Sequence, residues 1–299
     1  MSHEKRTVPD EVVRLYDHFT HGGMDRRAFM EKLTKVAGSA TAAAAFIPLL
    51  QSNYAMAQTV APDDPRLAFE DGVTIPGGDA GLKGYLVVPK GGVKRPALLM
   101  IHENRGLNPH IRDMTRRGAL AGYLTLGIDA LSPEGGTPAN EDQAREMFSK
   151  LNPDIAAARC AAAVRFLANH PQSTGKVGAM GFCWGGGQVN RIAAIEPALG
   201  AGIAYYGSQI PAERVPNIRA ALMLHYASKD ERINAGIPAY EAALKANGKA
   251  YELHMYEGVD HAFNNDTGPA RYNPQAAKLA WKRSLAFLAK HLGAPAGVG

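Results

Sequence analysis

From residue 58 onward, blocks of apolar and polar positions follow one another in a strand–helix rhythm. Short apolar stretches at residues 69–75 and 82–88, flanked by Gly77-Gly78 and Gly91-Gly92, predict two opening strands. Residues 96–102 (PALLMIH) form an unbroken apolar run, as a strand buried on both faces requires. Further strands are predicted at 123–129, 176–182 (KVGAMGF), 202–206, 220–226 and 251–256, and helices at 109–121, 141–150, 153–169, from Trp184, at 238–247 and at 275–292. Residues 131–140, rich in Pro, Gly, Ser and Asn, read as a loop. Strands alternating with helices predict an α/β fold with a mostly parallel central sheet covered on both faces. Residues 58–299 show no internal repeat and no linker, so they read as one domain.

Residues 1–57 have a different texture. Arg26-Arg27 precedes a charge-free, Ala-rich stretch at 36–50, and Ala55-Met56-Ala57 supplies small residues around a cleavage point. Fifteen apolar residues are short for a membrane span, which needs ~20. The combination resembles a bacterial twin-arginine signal peptide, although Asp25 and Met30 depart from its usual residues. It implies cleavage before Gln58, with Met1 or Met24 as the start, a periplasmic mature protein and no stable membrane insertion. The alternative is a helical N-terminal extension that stays in place.

Across all 299 residues, 46% are hydrophobic and 20% charged, which excludes a disordered or collagen-like chain. The net charge of +5 is scattered and builds no basic tract, so nucleic acid is not an expected partner. The two cysteines, Cys160 and Cys183, cannot make a disulfide framework.

The chemistry concentrates at Gly181-Phe182-Cys183-Trp184-Gly185, between a buried strand and a helix. This is the Gly-x-nucleophile-x-Gly pattern of a nucleophile elbow in the context it requires. The turn lifts Cys183 off the sheet to a helix N-terminus, where free N–H groups and the helix dipole favour a thiolate. A structural Cys or a phosphate-binding glycine loop are the alternatives, but the phosphate-loop Lys-Ser/Thr is missing. An elbow predicts an acid after a later strand and a base after the last one. Asp230 follows the strand at 220–226, and His261 follows the strand at 251–256. Asp230 has a helix-capping alternative, and Asp260 is a rival acid that adjacency to His261 ranks lower.

With these residues in place, the chain resembles the dienelactone hydrolase family of α/β-hydrolases over residues 69–292. The resemblance implies a Cys183–His261–Asp230 triad, and it matches the family glutamate that contacts the resting cysteine to Glu103. A salt bridge from Glu103 to Arg105 or Arg112 is the structural alternative. Arg145 stands at the position of an arginine that grips the substrate carboxylate. The second family arginine is replaced by Asn265, and aromatic pocket positions by Ser149 and Asn152.

The expected reaction is hydrolysis of a small-molecule ester or lactone through an acyl-thioester, with the N–H of Trp184 and a donor at Asn104 forming the oxyanion hole. It requires neither metal nor cofactor, and His102-Glu103 lacks helix-spaced ligand geometry. The state is expected to be monomer or dimer. The rivals are a non-catalytic periplasmic binding protein on the same fold, and a redox pair of Cys160 with Cys183.

Overall fold

The computed structural model describes residues 8–57 and 59–298. Among them, eight strands form one sheet: β1 (Leu67–Thr74), β2 (Lys83–Pro89), β3 (Arg95–Ile101), β4 (Leu124–Asp129), β5 (Ser173–Phe182), β6 (Leu199–Tyr205), β7 (Ala221–Ala227) and β8 (Tyr251–Tyr256). Their spatial order is β1-β2-β4-β3-β5-β6-β7-β8. β1 and β2 run antiparallel to their neighbours, and β4 to β8 pair in parallel around β3. The expected α/β sheet is therefore the observed one.

All seven residues of β3 are buried, which explains its unbroken apolar run. Successive side chains leave opposite faces of the sheet. Ala97, Leu99 and Ile101 join one core with α6 (Pro153–Asn169), α7 (Trp184–Ala193) and α9 (Ile237–Ala246). Leu98 and Met100 join the other with α4 (Pro109–Leu120) and α10 (Pro274–Leu292). Local signals fix the helix ends. The Asn273 side chain accepts from the Ala276 N–H at 2.9 Å, Pro274 occupies the first turn, and Gly293 ends α10 with φ 89°. Helices α5 (Glu141–Lys150) and α6 match their expected limits. The predicted loop at 131–140 contains a short 3-10 turn, Ser132–Glu134, and a four-residue helix α8 (Glu231–Asn234) follows β7.

N-terminal to the sheet lie α1 (Asp10–Thr20), α2 (Arg26–Ala37) and α3 (Ala40–Leu50). They bury Val12, Val13, Tyr16, Phe29, Leu33, Ala43 and Leu50 in a separate cluster. The residues read as an export signal are engaged within it. Asp25 caps α2, accepting from the Ala28 N–H at 2.8 Å. Arg26 pairs with Asp142 of α5 at 2.5 Å, and Arg27 with Glu31 at 3.1 Å. Met1 and Gln58, the expected start and first mature residue, lie outside the described residues. No single described helix is long and apolar enough to cross a membrane; α2 and the segment from Ala40 to Met56 meet at 112°.

Candidate active site

The strand β5 turns into α7 at Cys183, whose φ of 55° and ψ of −114° lie in a sparsely populated region. Such strain costs on the order of 1–3 kcal/mol and persists only where the surroundings impose it. Here they do. A Cβ on Gly181 would meet the Gly185 carbonyl oxygen at 2.2 Å, and one on Gly185 would meet that of Ile101 at 2.4 Å. The Cys183 N–H donates to the Tyr205 carbonyl at 2.9 Å, anchoring the turn to β6. The thiol therefore projects over the carboxyl ends of β3 and β5, where open α/β sheets place their ligand crevice. Cys160 lies buried in α6, where burial pushes its thiol up to about 12, and it forms no disulfide with Cys183.

His261 and Asp230 arrive as the chain order predicts. The His261 Nδ1 lies 2.5 Å from the Asp230 Oδ2, both side chains almost fully buried. Asp230 also accepts from the Ile233 N–H at 3.3 Å, so it caps α8 and orients the imidazole at once. The carboxylate fixes the proton on Nδ1, and Nε2 has no hydrogen-bond partner among the described residues. His261 stands beside Cys183, with ligand atoms of the two within 4.8 Å of each other.

A second imidazole faces the same sulfur, and it comes from the N-terminal helices. His21, just after α1, places Nε2 3.2 Å from the Cys183 Sγ. Its Nδ1 lies 2.7 Å from the Asp17 carbonyl, which can only accept, so Nδ1 carries a proton here too. The Asp17 carboxylate stands 3.3 Å away. Burial alone would raise the Cys183 thiol, but the imidazoles of His21 and then His261 outweigh it and bring it down to about 5. Burial lowers both imidazoles. At His21 the Cys183 charge together with the hydrogen bonds to Asp17 and Cys183 outweighs this, and at His261 the charges of Asp230, Cys183 and Asp17 together do so, so both end raised. The thiol proton is thus shared among one sulfur and two nitrogens. Sequence reasoning assigned residues 1–57 to a leader and missed His21 and Asp17. Their four-residue spacing on a helix was the one local signal.

The remaining expected residues have defined places. Glu103 is buried and accepts from the Asn265 side-chain amide at 2.9 Å, so Asn265 holds the glutamate rather than a substrate. Burial would raise Glu103, but Arg105 and then His110 and Arg271 hold it lowered. The proposed bridges lie elsewhere: Arg105 pairs with Glu141 at 3.3 Å and Arg112 with Asp71 at 3.0 Å. Asn104 spends its side-chain amide on the Thr20 carbonyl at 2.8 Å. Trp184 begins α7, and its ring stacks on His102 with centroids 5.2 Å apart. Arg145 lines the same cavity, but it pairs with Asp142 and its guanidinium lies 4.7 Å from the centre of the Phe19 ring. Ser149 reaches the cavity, whereas Asn152 caps α6. The cavity has a volume of about 740 Å³ and joins Cys183, His21 and His261 with Phe19, Phe148, Trp184 and Tyr206.

The model of the dienelactone hydrolase family matches residues 82–292, and a YqhI-like model matches residues 2–38. A hydrolase fragment of Escherichia coli K12 named YghX is 46% identical over 114 residues, covering 37% of this chain and 97% of its own. A Methylorubrum extorquens AM1 protein named as a carboxymethylenebutenolidase is 31% identical, over 76% of this chain and 83% of its own. A solved Klebsiella pneumoniae structure named as a dienelactone hydrolase superposes with a TM-score of 0.67 at 26% identity, covering 75% of this chain and 99% of that one.

Proposed function

The chain belongs to the dienelactone hydrolase family and is a hydrolase of that type, and from this premise we propose that it cleaves small carboxylic esters or lactones with Cys183 as nucleophile, His261 as base and Asp230 as orienter. The observation that carries the reading is the convergence of two committed imidazoles on one strained, buried thiol. The Cys183 thiolate adds to the substrate carbonyl. The tetrahedral oxyanion is received by the backbone N–H groups of Trp184 and Asn104, worth ~2.7–4 kcal/mol per donor where one is lost. His261 Nε2 protonates the leaving alkoxide, then takes a proton from water as that water attacks the thioester. Asp230 keeps the Nδ1 tautomer and offsets the charge of the imidazolium. His21 places a second Nε2 against the sulfur, an alternative seat for the one shared proton in the resting state, and that proton resides on His261 when the alkoxide leaves.

Turnover on a panel of p-nitrophenyl esters and small lactones tests the reading, with Cys183→Ala as control. We expect hydrolysis in the wild-type protein and a loss on the order of 10³-fold or more in the variant, because triad members act as a unit. Equal rates in both would assign the nucleophile elsewhere.

Export is a separate proposal, resting on the basic pair, the apolar stretch and Ala55-Met56-Ala57. It excludes the role given to His21, because cleavage before Gln58 removes that residue. The intact mass of protein recovered from cells decides between them.

A further inference from the structure

We propose that His21, Cys183 and His261 form a binding site for a thiophilic divalent cation such as Zn²⁺, and that the loaded form cannot acylate. One ligand atom from each of His21, Cys183 and His261 lies within 4.8 Å of the other two; His21 offers Nε2, which touches the sulfur, and His261 offers Nε2, since Asp230 holds its Nδ1. Tetrahedral zinc with bonds of ~2.0–2.1 Å to nitrogen and ~2.3 Å to sulfur separates its N and S ligands by about 3.5 Å. The His21–Cys183 separation of 3.2 Å is already close to that span, and only small side-chain rotations are needed to admit an ion.

The donor set is prepared beyond the ligand atoms. Ligating histidines characteristically donate their other ring N–H to a carbonyl or carboxylate, which fixes the tautomer and raises ligand basicity. Both histidines do so here, His21 to the Asp17 carbonyl at 2.7 Å and His261 to the Asp230 carboxylate at 2.5 Å. The buried Nε2 of His261, without a hydrogen-bond partner among the described residues, is an available lone pair aimed at the cluster. Two neutral imidazoles and a thiolate favour Zn²⁺ or Co²⁺ over Mg²⁺ or Ca²⁺. The fourth position opens into the cavity lined by Asn104, Trp184 and Tyr206.

Binding displaces the one proton shared by the thiol and the two imidazoles. A metal–sulfur bond forms, one proton is released, and no electron is transferred. The sulfur lone pair that would attack a carbonyl is then engaged by the metal. His21 is the residue that turns an ordinary Cys–His pair into a three-donor site, and its ring packs edge-on against that of His261 with centroids 4.5 Å apart. The inference does not rest on the hydrolytic reading, since the ligands bind metal whether or not an ester is ever cleaved.

The test titrates Co²⁺ into reduced, chelator-treated full-length protein and follows the thiolate-to-cobalt charge-transfer band, then displaces the cobalt with Zn²⁺. One equivalent should bind with a charge-transfer band, release one proton and protect Cys183 from iodoacetamide. Cys183→Ser should lose the band. His21→Gln, and His21→Ala as a second variant, should weaken binding by roughly 100-fold, at or beyond the upper end of what is typical when a supporting residue alone is lost. Near-UV circular dichroism checks that each variant is folded. Absence of the band in wild type, or its persistence in Cys183→Ser, would overturn the proposal. Unchanged affinity in a folded His21 variant would reduce the site to a Cys–His pair and also overturn it. Hydrolysis by a protein that binds no cobalt would sink the metal site and leave the esterase reading standing.

Discussion

At Cys183 a single proton has three claimants, and the two histidines hold their Nδ1 protons for other acceptors. The thiolate is the reactive form, so its chemistry is present above the thiol's pKa and is lost as pH falls through it. In metal-free protein, alkylation of Cys183 is expected to stay fast at neutral pH and to fall only near pH 5. His21→Ala should move that inflection up toward the value of ~8.5 for an ordinary thiol. An unmoved profile would leave His261 as the sole partner. Asp230→Asn should lower turnover by on the order of 10⁴-fold through the wrong tautomer of His261, and Asp260→Asn should leave it near wild type. Arg145 already shares its charge with Asp142 and its face with Phe19. Arg145→Ala should therefore reduce kcat/KM for an anionic lactone by only about tenfold, the low end for a charge-assisted contact. A matched neutral ester, measured alongside, should barely change. Cys183, Asp230 and His261 were legible as candidates because an elbow prescribes the order of its partners. The role of Asn265 was not, since nothing near it in sequence announces that its amide meets Glu103, 162 residues away.

Among the elements, the turn from β5 to α7 carries the site, and its glycines are demanded by close backbone approach. Gly185→Ala would drive a methyl against the Ile101 carbonyl, so the helix must shift away from β3. Overpacking of this kind costs ~1–3 kcal/mol, and a shift of α7 also moves the Trp184 N–H. Urea denaturation should show a lowered midpoint, and esterase activity should fall by more than the folded fraction explains. The β-strands and long helices were readable from their periods because each buries a defined face. β5 and β6 begin earlier than expected, at Ser173 and Leu199, because pairing of Ser173 with Arg95 and of Leu199 with Val177 extends them, β5 through polar residues. The four residues of α8 are too few to leave a periodic signal, and only the Asp230 cap marks them.

For the molecule as a whole, α1 to α3 form their own apolar cluster and wall the cavity with Phe19, Thr20 and His21. Leu33 is fully buried there, so Leu33→Ala should cost ~2–5 kcal/mol of that cluster's stability. Hydrogen exchange over residues 10–50 is expected to rise well above that of the sheet, and equal protection throughout would mean that the two parts unfold as one. The mostly parallel sheet covered on both faces followed from the alternation of strands and helices along the chain. The docking of α1 against the nucleophile joins positions 162 residues apart and follows from no such rule. An Ala-rich stretch after paired arginines reads as a leader whether or not it folds back. The most direct test of the central claim is acid-quenched mass spectrometry of the full-length protein during turnover of a p-nitrophenyl ester. We predict one acyl group per chain, on the peptide containing Cys183, removed by hydroxylamine and absent in Cys183→Ala. Turnover with no acyl group on Cys183, or with the group on another residue, would contradict the account.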